Sequence, residues 1–290
     1  MNHPISLRLR SAILSAAILV VIIAIWHVST LPTKSSAAAL TREQMEYAKL
    51  MGKDPQADSA PSAKSSFPTV ADMGSVIAKG LAAPFYDNGP NDKGIGLQVA
   101  YSLGRVALGF GFAVAFAIPI GFVIGMSPLA YRALDPFIQV LKPISPLAWM
   151  PIALYTIKDS SISGIFVIFI CSIWPMLTNT AFGVAGVRRE WLNVARTLQV
   201  RPMRKAIEVI LPAAAPTILT GMRISMGIAW LVIVAAEMLV GGTGIGYFVW
   251  NEWNNLSLAN VIFAILIIGL VGMALDLLFA KAQKVVTYAD

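Results

Sequence analysis

The chain has 290 residues, 57% of them hydrophobic and 13% charged, with a mean hydropathy of +0.72. A soluble domain carries about 25% charged residues, so polar groups cannot cover this surface and a water-soluble globular fold is excluded. The formal charge of +7 lies in the connections between apolar runs and lacks interleaved aromatics, which argues against nucleic-acid binding and for the basic-loop bias of a membrane protein.

Arg8 and Arg10 precede an apolar run over 11–28. It is longer than a signal-peptide core, and the small residues Ser36-Ala37-Ala38-Ala39 lie well past its end, so residues 1–30 are read as an uncleaved first transmembrane helix with a cytoplasmic N-terminus. Residues 31–94 are polar with balanced charge and are read as a periplasmic linker. Within them Thr41 and Gln44 have the spacing of a capping box. Val70, Met73, Val76, Ile77 and Leu81 recur at helical spacing, either as a helix lying on the outer surface or as one packed on its neighbours.

Residues 95–285 hold the remaining spans, each near the roughly 20 residues that cross about 30 Å of hydrocarbon. The second is expected over 97–126, with "SPLAYRALDP" as a turn after it. The third is expected over 136–157, kinked by Pro143, Pro146 and Pro151, whose freed carbonyls need neighbouring helices or water. The fourth (162–182) follows the turn "KDSS". The fifth spans 212–239. "VGGTGIGYFVWNEWNNLSLAN" reads as an interfacial or re-entrant piece with Trp250 and Trp253 at headgroup depth, and the sixth span covers 261–280. The expected class is an all-α polytopic membrane protein of about six transmembrane helices, both termini cytoplasmic, because the short basic loops fall on one side.

Cys171 is the single cysteine, and His3 and His27 are isolated. This leaves no disulfide and no cysteine or histidine cluster for a metal. An intramembrane enzyme would need paired carboxylates or a Ser–His arrangement at membrane depth, and Glu237 and Asp276 are far apart in sequence. Nothing resembles G-x-x-x-x-G-K-[ST], so the chain has no phosphate-cradling loop of its own.

Between the fourth and fifth spans Arg188, Arg189, Arg196, Arg201, Arg204 and Lys205 fall in one short reach ending at Leu211-Pro212. Trp191, Val194, Ala195 and Leu198 share a helical face, and Pro202 suits the first turn of a second helix. Periodicity alone leaves open an ordinary basic loop that sets topology. The segment resembles the E-A-A loop of type I importer permeases of ATP-binding-cassette (ABC) systems: Asn193-Val194-Ala195 takes the first three places, Gln199 the glycine, and Val209-Ile210-Leu211-Pro212 the end. The Glu, the first Ala and the Gly are replaced, while the spacing is intact.

That resemblance implies a coupling loop over 188–211, with Asn193, Val194, Ala195, Arg196, Gln199, Leu211 and Pro212 toward an ATPase. "KPISPLAWMPIAL", "GMRISMGIAWLVIVAAEML" and "GGTGIGYFVWNEWNN" are most similar to the nitrate-transport branch, with bicarbonate, cyanate and taurine or sulfonate permeases as the alternatives. The implied assembly is two copies of the permease in the bacterial inner membrane, two cytoplasmic ATPase subunits that hold the ATP and Mg, and a periplasmic or lipid-anchored substrate-binding protein. No cofactor is expected on this chain and no catalysis by it. The absence of an internal repeat agrees with a homodimer, since one six-span unit has no symmetric partner to rock against. Candidate pathway cations are Arg223, about 16 Å into its span at 1.5 Å per residue, together with Arg105 and Lys142. An intramembrane charge is costly and marks a functional or bundle-holding site.

Overall fold

The computed structural model describes residues 7–30, 67–89 and 92–286, with Arg8 by its backbone alone. His3, the 36–39 run and the Thr41–Gln44 spacing lie outside the described residues. Eleven α-helices lie among the described residues: α1 Leu7–Thr30, α2 Val70–Ala82, α3 Ile95–Met126, α4 Pro128–Leu141, α5 Pro146–Ile157, α6 Ser160–Ala185, α7 Arg189–Thr197, α8 Pro202–Lys205, α9 Leu211–Val240, α10 Ile245–Asn254 and α11 Leu258–Val286. Among the described residues five helical stretches are long and apolar enough to cross a membrane, and the α4–α5 pair makes a sixth if it counts as one broken span.

The described chain divides into two units, one reaching Lys79 and including Leu258–Phe263, the other comprising Gly80–Ser257 and the residues from Ala264 on. In the first, the Trp26 indole donates to the Pro68 carbonyl at 3.1 Å and meets the Phe67 ring edge-on. The start of α2 is a capping box: Thr69 Oγ1 accepts from the Asp72 amide and the Asp72 carboxylate accepts from the Thr69 amide. "TVAD" carries that signal.

In the second unit the core is α3, α6 and α9. Gly109, Ala113, Ala117, Gly121 and Gly125 recur every fourth residue along α3, and a Cβ at Gly109, Gly121 or Gly125 would press into Ile168, Thr180 or Val184 of α6. Without a hydrophobic drive between helices in lipid, such small residues let backbones approach and gain dispersion contacts. Gly221 of α9 packs likewise on Asn179 and Pro175 of α6, and the Ser225 hydroxyl donates to the Ser172 carbonyl at 2.7 Å. Antiparallel α11 is pinned to α9 by the Trp230 indole on the Ile268 carbonyl and by Gln283 on Thr220.

Two expectations change. "SPLAYRALDP" is not a turn but the first turns of α4: Ser127 caps it, accepting from the Ala130 amide, and Pro128 sits in the first turn, where its missing N–H costs nothing. The third span is not one kinked helix. α4 and α5 meet at 93° across residues 142–145. Ser145, ahead of Pro146, is extended (φ −61°, ψ 137°) and caps α5, which is where the ring of the following proline pushes a residue. Pro136 and Pro151 stay inside their helices. The Gly-rich stretch before the last span contains α10, too short to cross a bilayer, with Trp250 and Trp253 exposed on it.

Candidate functional site

Three groups of residues bear on function: a buried polar network at one end of the bundle, an ion pair within it, and the basic segment at the other end.

The network gathers Gln98, Ser102 and Arg105, spaced four and three residues apart on α3, around Glu237 near the end of α9. Arg105 Nη1 lies 2.7 Å from Glu237 Oε1 and 2.6 Å from the Thr243 carbonyl, and Nε donates to Ser161 at 3.0 Å. The Ser102 hydroxyl reaches Glu237 at 2.8 Å and accepts from the Ile245 amide at 2.9 Å. Gln98 Oε1 accepts from the Gly244 amide and Glu237 Oε2 from the Gly246 amide. Gln98, Ser102 and Glu237 are almost fully buried. Residues 241–246 are thus tied to α3 by the Gly244 and Ile245 amides and the Thr243 carbonyl, and to α9 by the Gly246 amide on Glu237. Glycine is required there, because a Cβ at Gly244 would overlap the Glu237 carboxyl and one at Gly246 the Val234 carbonyl. Gly241 and Gly242 turn the chain with φ of 78° and 92°, cheap for glycine.

Arg223 is paired too. Its Nε and Nη2 meet the two Asp276 carboxylate oxygens at 2.6 Å each, a bidentate fork between α9 and α11. The pair is open on one side, 38% and 49% exposed. Lys142 differs: it caps α4 at the 93° break, is exposed, and forms no ion pair among the described residues. Outside the spans, Lys93 and the Gly89 amide bond the Asp87 carboxylate and hold its pKa below the ordinary aspartate value.

In the basic segment, α7 ends in a Schellman turn: the Val200 amide donates to the Ala195 carbonyl and the Gln199 amide to that of Arg196. Gln199 has φ 52°, the left-handed conformation that glycine adopts at least cost. This is the physical reason a motif glycine belongs at that place, and glutamine occupies it with some strain. Trp191, Val194, Leu198, Met203 and Ile207 are exposed, as are Asn193 and Arg196. Ala195, expected on the same face as Trp191, Val194 and Leu198, is the exception: it is 4% exposed and turned into its own chain, and Val194 and Leu198 present the exposed apolar face. Leu192 of α7 packs on a cluster of Val184, Val187, Ile210, Ala214 and Ile218, seating the segment on α6 and α9.

Leu211 and Pro212 start α9 directly after a π-helical turn over Ala206–Ile210, where the Leu211 amide reaches back to the Ala206 carbonyl. Pro212 has no N–H for the carbonyl four residues before it and its ring crowds that group; the wider turn accommodates both. Pro202 to Val240 is thereby one helical stretch of 39 residues, joining the segment to the core without a loop.

A family model described as "binding-protein-dependent transport system inner membrane component" matches residues 117–287. The chain belongs to that family. This permease is 46% identical over 207 residues to the nitrate import permease protein NrtB of Synechocystis sp., covering 71% of this chain and 75% of that one. It is 42% identical over 207 residues to the bicarbonate transport system permease protein CmpB of the same organism, 71% and 74% covered. Among solved structures, a chain of the MetNI methionine ABC transporter in an inward-facing form superposes with a TM-score of 0.59 at 14% identity, over 66% of this chain and 95% of that one. The fold is that of an ABC importer permease, and the family consists of transport subunits rather than enzymes.

Asp276 as the partner of Arg223 and the Glu237 network were missed from sequence. The signal for the second was present: Gln98, Ser102 and Arg105 make a polar stripe on an otherwise apolar helix, spaced as one face.

Proposed function

We propose that this permease is the membrane subunit of an ATP-driven importer for a small inorganic anion, nitrate, working as a pair of identical chains by alternating access. The observation that carries the substrate is the 46% identity with a nitrate import permease over most of the membrane body. The 42% identity with a bicarbonate permease supports bicarbonate as the second reading.

The mechanical reading rests on the helix from Pro202 to Val240. α7 with the start of that helix presents Val194, Leu198, Met203 and Ile207 amid exposed arginines, a helix-in-groove face for a cytoplasmic ATPase. Closing of two ATPases around ATP moves this face, and a continuous helix carries the displacement into the core because it does not stretch. Residues 1–30 anchor the chain, 31–94 lie outside, and 95–285 form the transport body. Both termini are cytoplasmic, and a periplasmic or lipid-anchored protein delivers the anion.

The open side of the Arg223–Asp276 pair supports assembly: charges at that depth are costly against hydrocarbon, so a second chain or a water-filled path faces them. Arg105 and Arg223 serve the bundle, each neutralised by a carboxylate, and of the three cations Lys142 serves the anion. Uptake of labelled nitrate in cells lacking this chain, with bicarbonate, cyanate and taurine as competitors, tests the reading. Nitrate uptake falls to background and returns with the gene; loss of bicarbonate uptake alone establishes the second reading instead.

A further inference from the structure

A cavity of about 600 Å³ opens between α4 and the last turns of α6, at the coupling-segment end of the bundle. Arg132, Asp135, Gln139 and Lys142 all line it; spaced three, four and three residues apart, they form one face of α4. Thr178 and Asn179 line the opposite wall. Neither Arg132 nor Lys142 forms an ion pair among the described residues. Asp135, approached by the Gln139 amide at 3.5 Å, is the single carboxylate against these two cations in the lining, so the cavity keeps a net positive charge. Asn179 donates one amide proton to the Pro175 carbonyl at 2.7 Å and retains a second.

The contrast with the rest of the bundle carries the inference. Arg105 and Arg223 are neutralised by a carboxylate and offer an anion no net attraction. Arg132 and Lys142 keep their charge beside low-dielectric walls, the arrangement that focuses a field and concentrates counter-ions. The volume far exceeds a bare small anion, so an occupant keeps part of its hydration and is held weakly. Weak holding suits release to the cytoplasm.

We propose that this cavity is a low-affinity site for a small oxyanion on the cytoplasmic side, with Arg132 and Lys142 as its binding cations and Asn179 as a further donor. It rests on the importer reading for the identity of the anion. Its charge and occupancy stand apart from that reading.

The test places a cysteine at Gln139 in a Cys171→Ala background, in the permease assembled with its ATPase in lipid nanodiscs. Rates of modification are compared for thiol reagents of equal size and opposite charge. The anionic reagent reacts faster, relative to the cationic one, by about tenfold over their ratio for a free thiol. Added nitrate slows the reaction, and Arg132→Gln with Lys142→Gln removes both effects. Absence of a charge preference overturns the proposal, as does absence of protection by any small oxyanion. Protection that needs anionic phospholipid in the nanodisc and ignores added salts assigns the cavity to a headgroup and also overturns it. Protection by bicarbonate but not nitrate upholds the site while the nitrate reading fails.

Discussion

At the residue scale, the cost of a buried charge is set by how completely it is partnered. Glu237 is almost fully buried, and its carboxyl oxygens are partnered by Arg105, Ser102 and the Gly246 amide. Removing one partner of such a set leaves the other stranded, typically about 3–5 kcal/mol. Glu237→Ala therefore strands Arg105 and frees the Gly246 amide, whereas Glu237→Gln retains an acceptor for that amide. Thermal unfolding of the purified permease should show Ala far below the parent and Gln between them, with Arg105→Met combined with Glu237→Ala less harmful than the two losses added. An Ala variant that melts with the parent would mean the 241–246 loop is held by something else. The sequence offers Gln98, Ser102 and Arg105 as a stripe, but Glu237 lies more than a hundred residues away. Periodicity finds a face and not what meets it. Arg223 and Asp276 illustrate the same limit.

At the element scale, most helices were legible because composition and length decide them: an apolar run near the bilayer thickness has helix as its one satisfied conformation in lipid. The α4–α5 break was harder. Five prolines run from Pro128 to Pro151, both included, and which of them ends a helix depends on capping. Ser127 and Ser145 each accept a bond from an amide beyond the proline they precede, and both mark helix starts. The basic segment was legible in spacing but not in which side faces out, since Ala195 and Val194 are neighbours on a narrow helix and packing of Leu192 sets its rotation. The orientation predicts that Val194→Asp or Leu198→Asp in the exposed face abolishes copurification with the ATPase while leaving the melting temperature of the permease unchanged. Ala195→Asp buries an unpaired carboxylate and lowers the melting temperature itself. Equal thermal stability of Ala195→Asp and the parent would show that Ala195 is not packed inside. At Gln199 the left-handed φ makes glycine the better residue, and Gln199→Gly should raise stability by about 1 kcal/mol with recruitment intact.

At the scale of the whole molecule, the helix from Pro202 to Val240 joins one end of the bundle to the other. Its first part carries the exposed apolar face, its middle holds Arg223 against Asp276, and its last turns hold Glu237 against α3. If that helix transmits force, the transmission passes through the π turn at Ala206–Ile210, where the ladder is widened just ahead of Pro212. Replacing Ala206 and Glu208 by glycines costs roughly 1 kcal/mol each in helix propensity and also removes the Arg204–Glu208 pair, which is exposed and worth little. The spans on either side are untouched. If the helix is the lever, the double-glycine variant still inserts, still copurifies with its ATPase through Val194 and Leu198, and still hydrolyses ATP. Its nitrate uptake drops at least about tenfold, because ATPase closure is absorbed at the softened turn. The ratio of anions imported to ATP hydrolysed, measured in proteoliposomes, separates this from simple loss of assembly. A variant that keeps the parent's ratio would show that the displacement reaches the core by another route, through the seat of α7 on α6.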